Sequence, residues 1–212
     1  MMKAQELANN AREFLKVETC YLLGFWGQYC SQAEYNRVNA ELKNHGKNND
    51  KYNNQNYINT NVYAADCVCW VKGLLGGLRV GHRIGYGAMA APIGDVTPEQ
   101  FSDKLYDVIE RPASGNYMNV PAGYGIAKPG HAALSLGNGE WADYSYNSSQ
   151  NGVRLHTGGI PREYKCGKIP TIDYSEQPPV PEPTDAAAFR DFLISNAGKI
   201  IGEAYDAWKG GK

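Results

Sequence analysis

No apolar run in the 212-residue chain is long enough to cross a bilayer, which excludes a transmembrane helix. Charge of one sign is also lacking: 21 basic and 22 acidic side chains leave a net charge of -1, with no basic stripe. That balance argues against nucleic acid or an anionic membrane surface as the main ligand. The opening stretch, MMKAQELANNAREFLKV, lacks the continuous apolar core of a signal peptide and reads as an amphipathic helix carrying Leu7, Ala11, Phe14 and Leu15 on one face. Synthesis in a cytoplasm without an export address is therefore expected. Cysteines are few and odd in number (Cys20, Cys30, Cys67, Cys69 and Cys166), so a disulfide framework is not expected and at least one thiol is free. His45, His82, His131 and His156 are scattered and no Cys or His pair has a matching partner pair, so neither a metal nor a cofactor is expected.

What is present follows an α+β order, helices first and strands second. Behind the first helix lies CYLLGFWGQYC, then a polar helix in SQAEYNRVNAELKNHG, then KNNDKYNNQNYINTN, which has no hydrophobic period and reads as a solvated loop. YAADCVCWVKGLL follows as an apolar helix stopped by Gly76-Gly77. In DVTPEQFSDKLYDVIERP, Thr97 is the expected cap and Pro98 the first-turn proline, with Phe101, Leu105 and Ile109 at helical spacing. Beyond Pro112 come short strands, including GHAALSLGNGEWADYS and GVRLHTG, up to KIPTIDY. SEQPPVPEPT, residues 175–184, holds four prolines and predicts a stiff linker. After it, Phe189, Leu193, Ala197, Ile200, Ala204 and Trp208 form the stripe of a helix over residues 185–212, too short to bury a core alone.

The chemistry concentrates around Asp66-Cys67. If Asp66 caps the helix, Cys67 stands in its first turn, where free N–H groups and the helix dipole lower a thiol pKa. Residues two apart differ by about 200° in direction, so Cys67 and Cys69 point to opposite sides. Cys67 shares its face with Val71, Leu74 and Leu75, whereas Cys69 looks toward Lys72 and Gly73. On this segment alone both can be small core residues. A thiolate needs a base, and His131 opens a strand on which Ala133 and Ser135 share its face. Asn138-Gly139 marks a hairpin returning through Trp141, Asp143 and Ser145. A two-residue loop would put Asp143 and His131 on opposite faces. A three-residue loop, Gly137 to Gly139 with Gly139 left-handed, sets Asp143 opposite Ala133 and beside His131.

ADCVCWVKGLL together with PGHAALSLGNGEWAD resembles the signature of the NlpC-type cell-wall cysteine peptidases, a papain-like family, and its bacteriophage lysin branch especially. In that family an Asp-Cys pair opens the central helix, a Gly-His opens a strand, and a polar residue twelve positions after the histidine completes a triad. Cys67, His131 and Asp143 match those places in order and spacing. The likeness runs, more weakly, from CYLLGFWGQ through VTPEQF to CGKIPTIDY, about residues 5 to 174, leaving the tail unexplained. It departs at Val68-Cys69, where the family has a small Ser-Gly pair, at Gly27-Gln28, where it has two glycines, and at Asp143, an acidic choice of third member.

The resemblance implies a papain-like α+β domain over residues 1–174 and a peptidoglycan hydrolase cleaving a stem-peptide amide, with Cys67 as nucleophile, His131 as base and Asp143 orienting it. It also carries Tyr21 and Asp66 over to the substrate pocket, and needs no cofactor. Action on the bacterial wall after release from a host cytoplasm, and a wall-binding or oligomerising role for residues 185–212, belong to the same expectation. Gly198 and Gly202 there would permit close helix packing, but ordinary variation is the favoured account of the pair. Acyl transfer to an amine by the same triad, and a catalytically silent assembly module, stay open as alternatives.

Overall fold

The computed structural model describes residues 1–52, 54–147 and 151–175. Of the expected linker only Ser175 is described, and the helix expected over residues 185–212 lies outside the described residues. In chain order the elements are β1 (Met2–Lys3), α1 (Ala4–Phe14), β2 (Thr19–Tyr21), α2 (Gln32–Lys43), β3 (Tyr63–Ala65), α3 (Cys67–Leu75), α4 (Tyr86–Ala90) and α5 (Pro98–Lys104). Six strands follow: β4 (Gly125–Lys128), β5 (His131–Gly137), β6 (Glu140–Tyr146), β7 (Asn151–His156), β8 (Lys165–Gly167) and β9 (Ile172–Asp173). The architecture is α+β, with three short strands added to the helical half.

The main sheet is antiparallel, in the order β7-β6-β5-β4-β8. Small parallel pairs, β1 with β9 and β2 with β3, stand outside it. Period-two alternation divides the sheet: Ala132, Leu134, Leu136, Ala142 and Tyr144 join the main core. His131, Ala133, Ser135, Trp141 and Asp143 take the other face. The helix α3 lies against the core face, where its Trp70 ring centroid is 5.8 Å from that of Tyr144. α1 adds Leu7, Ala11 and Phe14, buried as the sequence predicts, with Ala8 beside them, whereas Leu15, expected on the same face, caps the helix and is only partly buried. Truncating a fully buried Trp70 to alanine would cost about 3–5 kcal/mol.

All nine residues of α3 are buried, so it is a central helix rather than one with a solvent face. Even Lys72 is only 1% exposed, its ammonium donating to Asp95 Oδ1 at 2.5 Å and to the Val96 carbonyl at 3.3 Å. The Tyr144 hydroxyl donates to the Tyr63 carbonyl and ties the sheet to β3, which runs directly into Asp66. The sheet and the start of α3 are thereby held in register.

Outside the candidate site, two further sequence expectations differ from the structure. The asparagine-rich stretch is not simply solvated. Asn49 is fully buried, its side chain accepting from the Leu23 N–H at 2.7 Å and donating to the Leu23 carbonyl, while its own N–H donates to Asn39. Asn54 is buried as well, exchanging amide hydrogen bonds with Asn151 across 97 residues of chain. These amides replace secondary structure as partners for otherwise orphaned backbone groups. The second difference is α5, which has the expected Thr97 cap, made a capping box by Gln100, but stops at Lys104. Leu105 turns extended, Tyr106 bridges to Lys168 and Asp107 adopts φ 43°, so Ile109 leaves the helix and donates its N–H to the Cys166 carbonyl.

Candidate active site

Asp66 caps α3 as its position suggested, Oδ1 accepting from the Cys69 N–H at 2.7 Å. Its Oδ2 accepts from the Gly24 N–H at 2.8 Å, so the aromatic segment before the helix is fastened to the same carboxylate. Both oxygens of this buried group are thus occupied by backbone N–H groups. In the structure Asp66 acts as a cap of α3 and a brace for the segment before it. Burial raises its pKa, more than the hydrogen bonds from Cys69 and Gly24 lower it.

Cys67 is the first residue of α3 and is 4% exposed. Its sulfur is approached by the N–H groups of Ala132 and Val68, which puts the thiol beside the residue next to His131. The helix start does not dominate its ionisation, contrary to the expectation from position. Burial comes first and the neighbouring Asp66 carboxylate second, and together they push the thiol up to about 12, although the two N–H groups pull the other way. A cap-level argument sees the dipole; it does not see a helix enclosed on every side. No hydrogen bond joins the sulfur to the His131 ring.

Opposite the thiol, the hairpin brings His131 and Asp143 together. Ala133 pairs with Asp143, as anticipated, but by another route. The loop between Gly137 and Glu140 is the two-residue turn Asn138-Gly139, with φ 55° and 74° as a type I′ turn needs. A bulge between Ser135 and Gly137 supplies the extra residue, and it is the bulge that restores the common face. His131 Nε2 lies 2.8 Å from Asp143 Oδ2. An ionised carboxylate only accepts, so Nε2 carries the hydrogen and Nδ1 is the nitrogen left to address the thiol.

Asp143 is 2% exposed and takes more than one partner. Its Oδ1 also accepts from His156 Nε2 at 3.0 Å, from the Ser145 hydroxyl at 3.0 Å and from Arg154 Nε at 3.3 Å. Burial on its own would raise the carboxyl pKa; the hydrogen bonds from His131 and His156 outweigh it and hold the group far below the usual carboxylate range. His156 and Arg154 were missed by sequence reasoning, which treated His156 as one of four scattered histidines. The available signal was GVRLHTG, whose alternation places Arg154 and His156 on one face two residues apart.

Tyr21 is half-buried at the end of β2 and borders the thiol: burial first, then the Cys67 and Asp66 charges, raise its phenol pKa. Its backbone is clamped by Asn151 Oδ1 on the N–H and Asn54 Nδ2 on the carbonyl. The ring meets Tyr52 edge-on at 4.9 Å, and Tyr52 meets Tyr146 at 5.2 Å. Cys69 faces elsewhere. It lines a cavity of about 600 Å³ walled by Trp26, Val38, Tyr86, Met89 and Asp95, to which Cys67, His131 and Asp143 do not contribute. The two thiols diverge, as their spacing on a helix requires.

Among the described residues no cluster of three or more His, Cys, Asp or Glu side chains is arranged to hold a metal ion. No helix there is long and apolar enough to cross a membrane. No family model, curated protein or solved structure matches the chain. The geometry of the thiol, the imidazole and the carboxylate therefore carries the functional argument.

Proposed function

We propose that the protein is a cysteine hydrolase of amide bonds in peptidoglycan stem peptides, with a papain-like arrangement of Cys67, His131 and Asp143. The observation that carries the reading is a thiol at the first position of a buried helix beside the start of a strand whose histidine is held through Nε2 by a buried, ionised aspartate. The choice of peptidoglycan as substrate rests on the family resemblance of the motifs.

In this scheme the raised thiol pKa assigns the resting state to a neutral thiol. As Sγ attacks the amide carbonyl, its proton passes to His131 Nδ1, and Asp143 stabilises the imidazolium that forms. The Cys67 N–H at the helix start faces the developing oxyanion. The C–N bond then breaks, the amine departs with the proton from Nδ1, and a thioester remains. Water loses a proton to Nδ1 and attacks the thioester; the C–S bond breaks, the sulfur regains its proton, and a carboxylic acid leaves. No cofactor enters the cycle. A lysin made in a host cytoplasm and acting on the wall after release fits this chemistry, and residues 185–212 would serve wall binding or self-association.

Incubating purified walls from several bacterial types with the protein and quantifying new free amines tests the proposal. Release in plain buffer, with no amine acceptor present, supports hydrolysis. Turnover only when an acceptor amine is supplied would reassign the triad to acyl transfer, and no turnover on any wall would favour an assembly module.

A further inference from the structure

The strand register lays out a small grid on the face of the sheet that carries Asp143. Ala133 pairs with Asp143 and Asp143 with Arg154; Ser135 pairs with Trp141 and Trp141 with His156. His156 is therefore the diagonal neighbour of Asp143, at the separation from which a long side chain reaches across. Its ring lies flat on Trp141, centroids 3.8 Å apart and planes 11° from parallel. Trp141 is itself fixed, its indole N–H donating to the Gly159 carbonyl at 3.2 Å. Stacked on a fixed ring, His156 delivers Nε2–H to Asp143 Oδ1 at 3.0 Å, leaving Oδ2 to His131.

We propose that His156 is a positioning residue of the site, a fourth member behind Cys67, His131 and Asp143, which fixes the carboxylate plane so that Oδ2 stays aimed at His131 Nε2. Arg154 assists from the same strand, but its contacts to the two oxygens, 3.3 and 3.4 Å, are longer than that of His156 at 3.0 Å. Without His156, Oδ1 keeps only the Ser145 hydroxyl, which can turn away, and the longer contact of Arg154, so the carboxylate plane is free to tilt and its hold on His131 Nε2–H weakens. With His156 in place the plane is fixed, and the Nε2–H form of His131, with a free Nδ1 lone pair, is the form kept. The roles differ: His131 exchanges protons with substrate and thiol, whereas His156 acts only through Asp143. Orientation of a base by an outer partner is a recurring device, and for metal-bound histidines the loss of such a partner costs about 10- to 100-fold.

This inference rests on the proposed catalytic role of His131, so its test has one arm that needs no substrate. The full chain is compared as wild type, His156→Ala and His156→Gln; glutamine can present an amide N–H close to where Nε2 stood. Nitrogen-15 spectra of the imidazole rings report which nitrogen of His131 carries the hydrogen. Expected is a single Nε2–H form in the wild type, a mixture of Nε2–H and Nδ1–H forms in His156→Ala, and recovery of the single form in His156→Gln. In wall digestion, kcat of His156→Ala falls about tenfold with KM within twofold, and His156→Gln recovers most of it. A His131 ring that stays in one Nε2–H form in a folded His156→Ala variant overturns the proposal, as does failure of glutamine to restore it. If even the wild type releases no amine, the catalytic reading fails while the ring spectra still decide whether His156 positions Asp143.

Discussion

Replacing Asp143 with asparagine removes the charge on which His131, His156, Arg154 and Ser145 converge. The side chain is 3% exposed, and those of its charged or chargeable partners only 18–27%, so the interaction is largely withdrawn from solvent. Breaking a buried pair by deleting one member typically costs 3–5 kcal/mol, and the partial exposure of the partners places this case at about 3 kcal/mol. For a domain of this size that corresponds to a fall in Tm of about 6–12 °C. The pH dependence follows from the direction of the shift. Asp143 has its folded pKa depressed below the unfolded value of about 3.9, so its stabilisation is present above that value and is lost as the pH falls below it toward the folded pKa. Urea unfolding followed by circular dichroism should show Asp143→Asn about 3 kcal/mol less stable at pH 7, with the gap to wild type narrowing below about pH 4. Equal stability at pH 7, or a gap that does not change with pH, would refute the reasoning that this carboxylate is an ionised hub.

Other expectations rest on separate features. Because burial holds the Cys67 thiol near a pKa of about 12, alkylation of Cys67 by iodoacetamide, read by peptide mass spectrometry, should be slow at neutrality and rise about tenfold per pH unit above it. A plateau already reached at neutral pH contradicts a neutral resting thiol. Gly152 has φ 101°, and a Cβ there would overlap the Thr19 side chain and crowd its backbone, so Gly152→Ala should lose at least about 2 kcal/mol. Thermal unfolding that matches wild type would contradict the close approach of β7 to β2. Asn49→Ala strips the half-buried Leu23 N–H and carbonyl of their side-chain partner, at about 1–2 kcal/mol measured by urea titration. A change below a few tenths of a kcal/mol would return the asparagine-rich stretch to the status of a solvated loop.

Local physics was readable in advance. The Asp66 cap, the Gly76 stop and the Thr97 cap need only neighbours within four residues, and the structure has all three, with Gln100 completing a capping box at Thr97. The alternation of β5 likewise settled which residues share the face of His131. What escaped depends on distant chain. The bulge that sets Asp143 beside His131 is held by the Ser135 hydroxyl, which accepts from the Gly137 N–H and donates to the Val120 carbonyl, a partner fifteen residues away. Asn49 and Asn54 read as turn residues because the groups that bury them lie on other segments. His156 joined the site only once the register of β7 against β6 was known. The thiol pKa went the other way for the same kind of reason: the helix dipole is local, whereas the enclosure of α3 is a property of the whole packing.

The central claim is that Cys67 is the nucleophile and Cys69 a structural residue on the opposite side of the helix. Purified peptidoglycan should be digested with wild type, Cys67→Ala and Cys69→Ala, and the soluble fragments weighed by mass spectrometry. The account predicts the same new fragments from wild type and Cys69→Ala, their masses naming the bond that is cut, and none from Cys67→Ala. Fragments still released by Cys67→Ala, or lost only in Cys69→Ala, would contradict it.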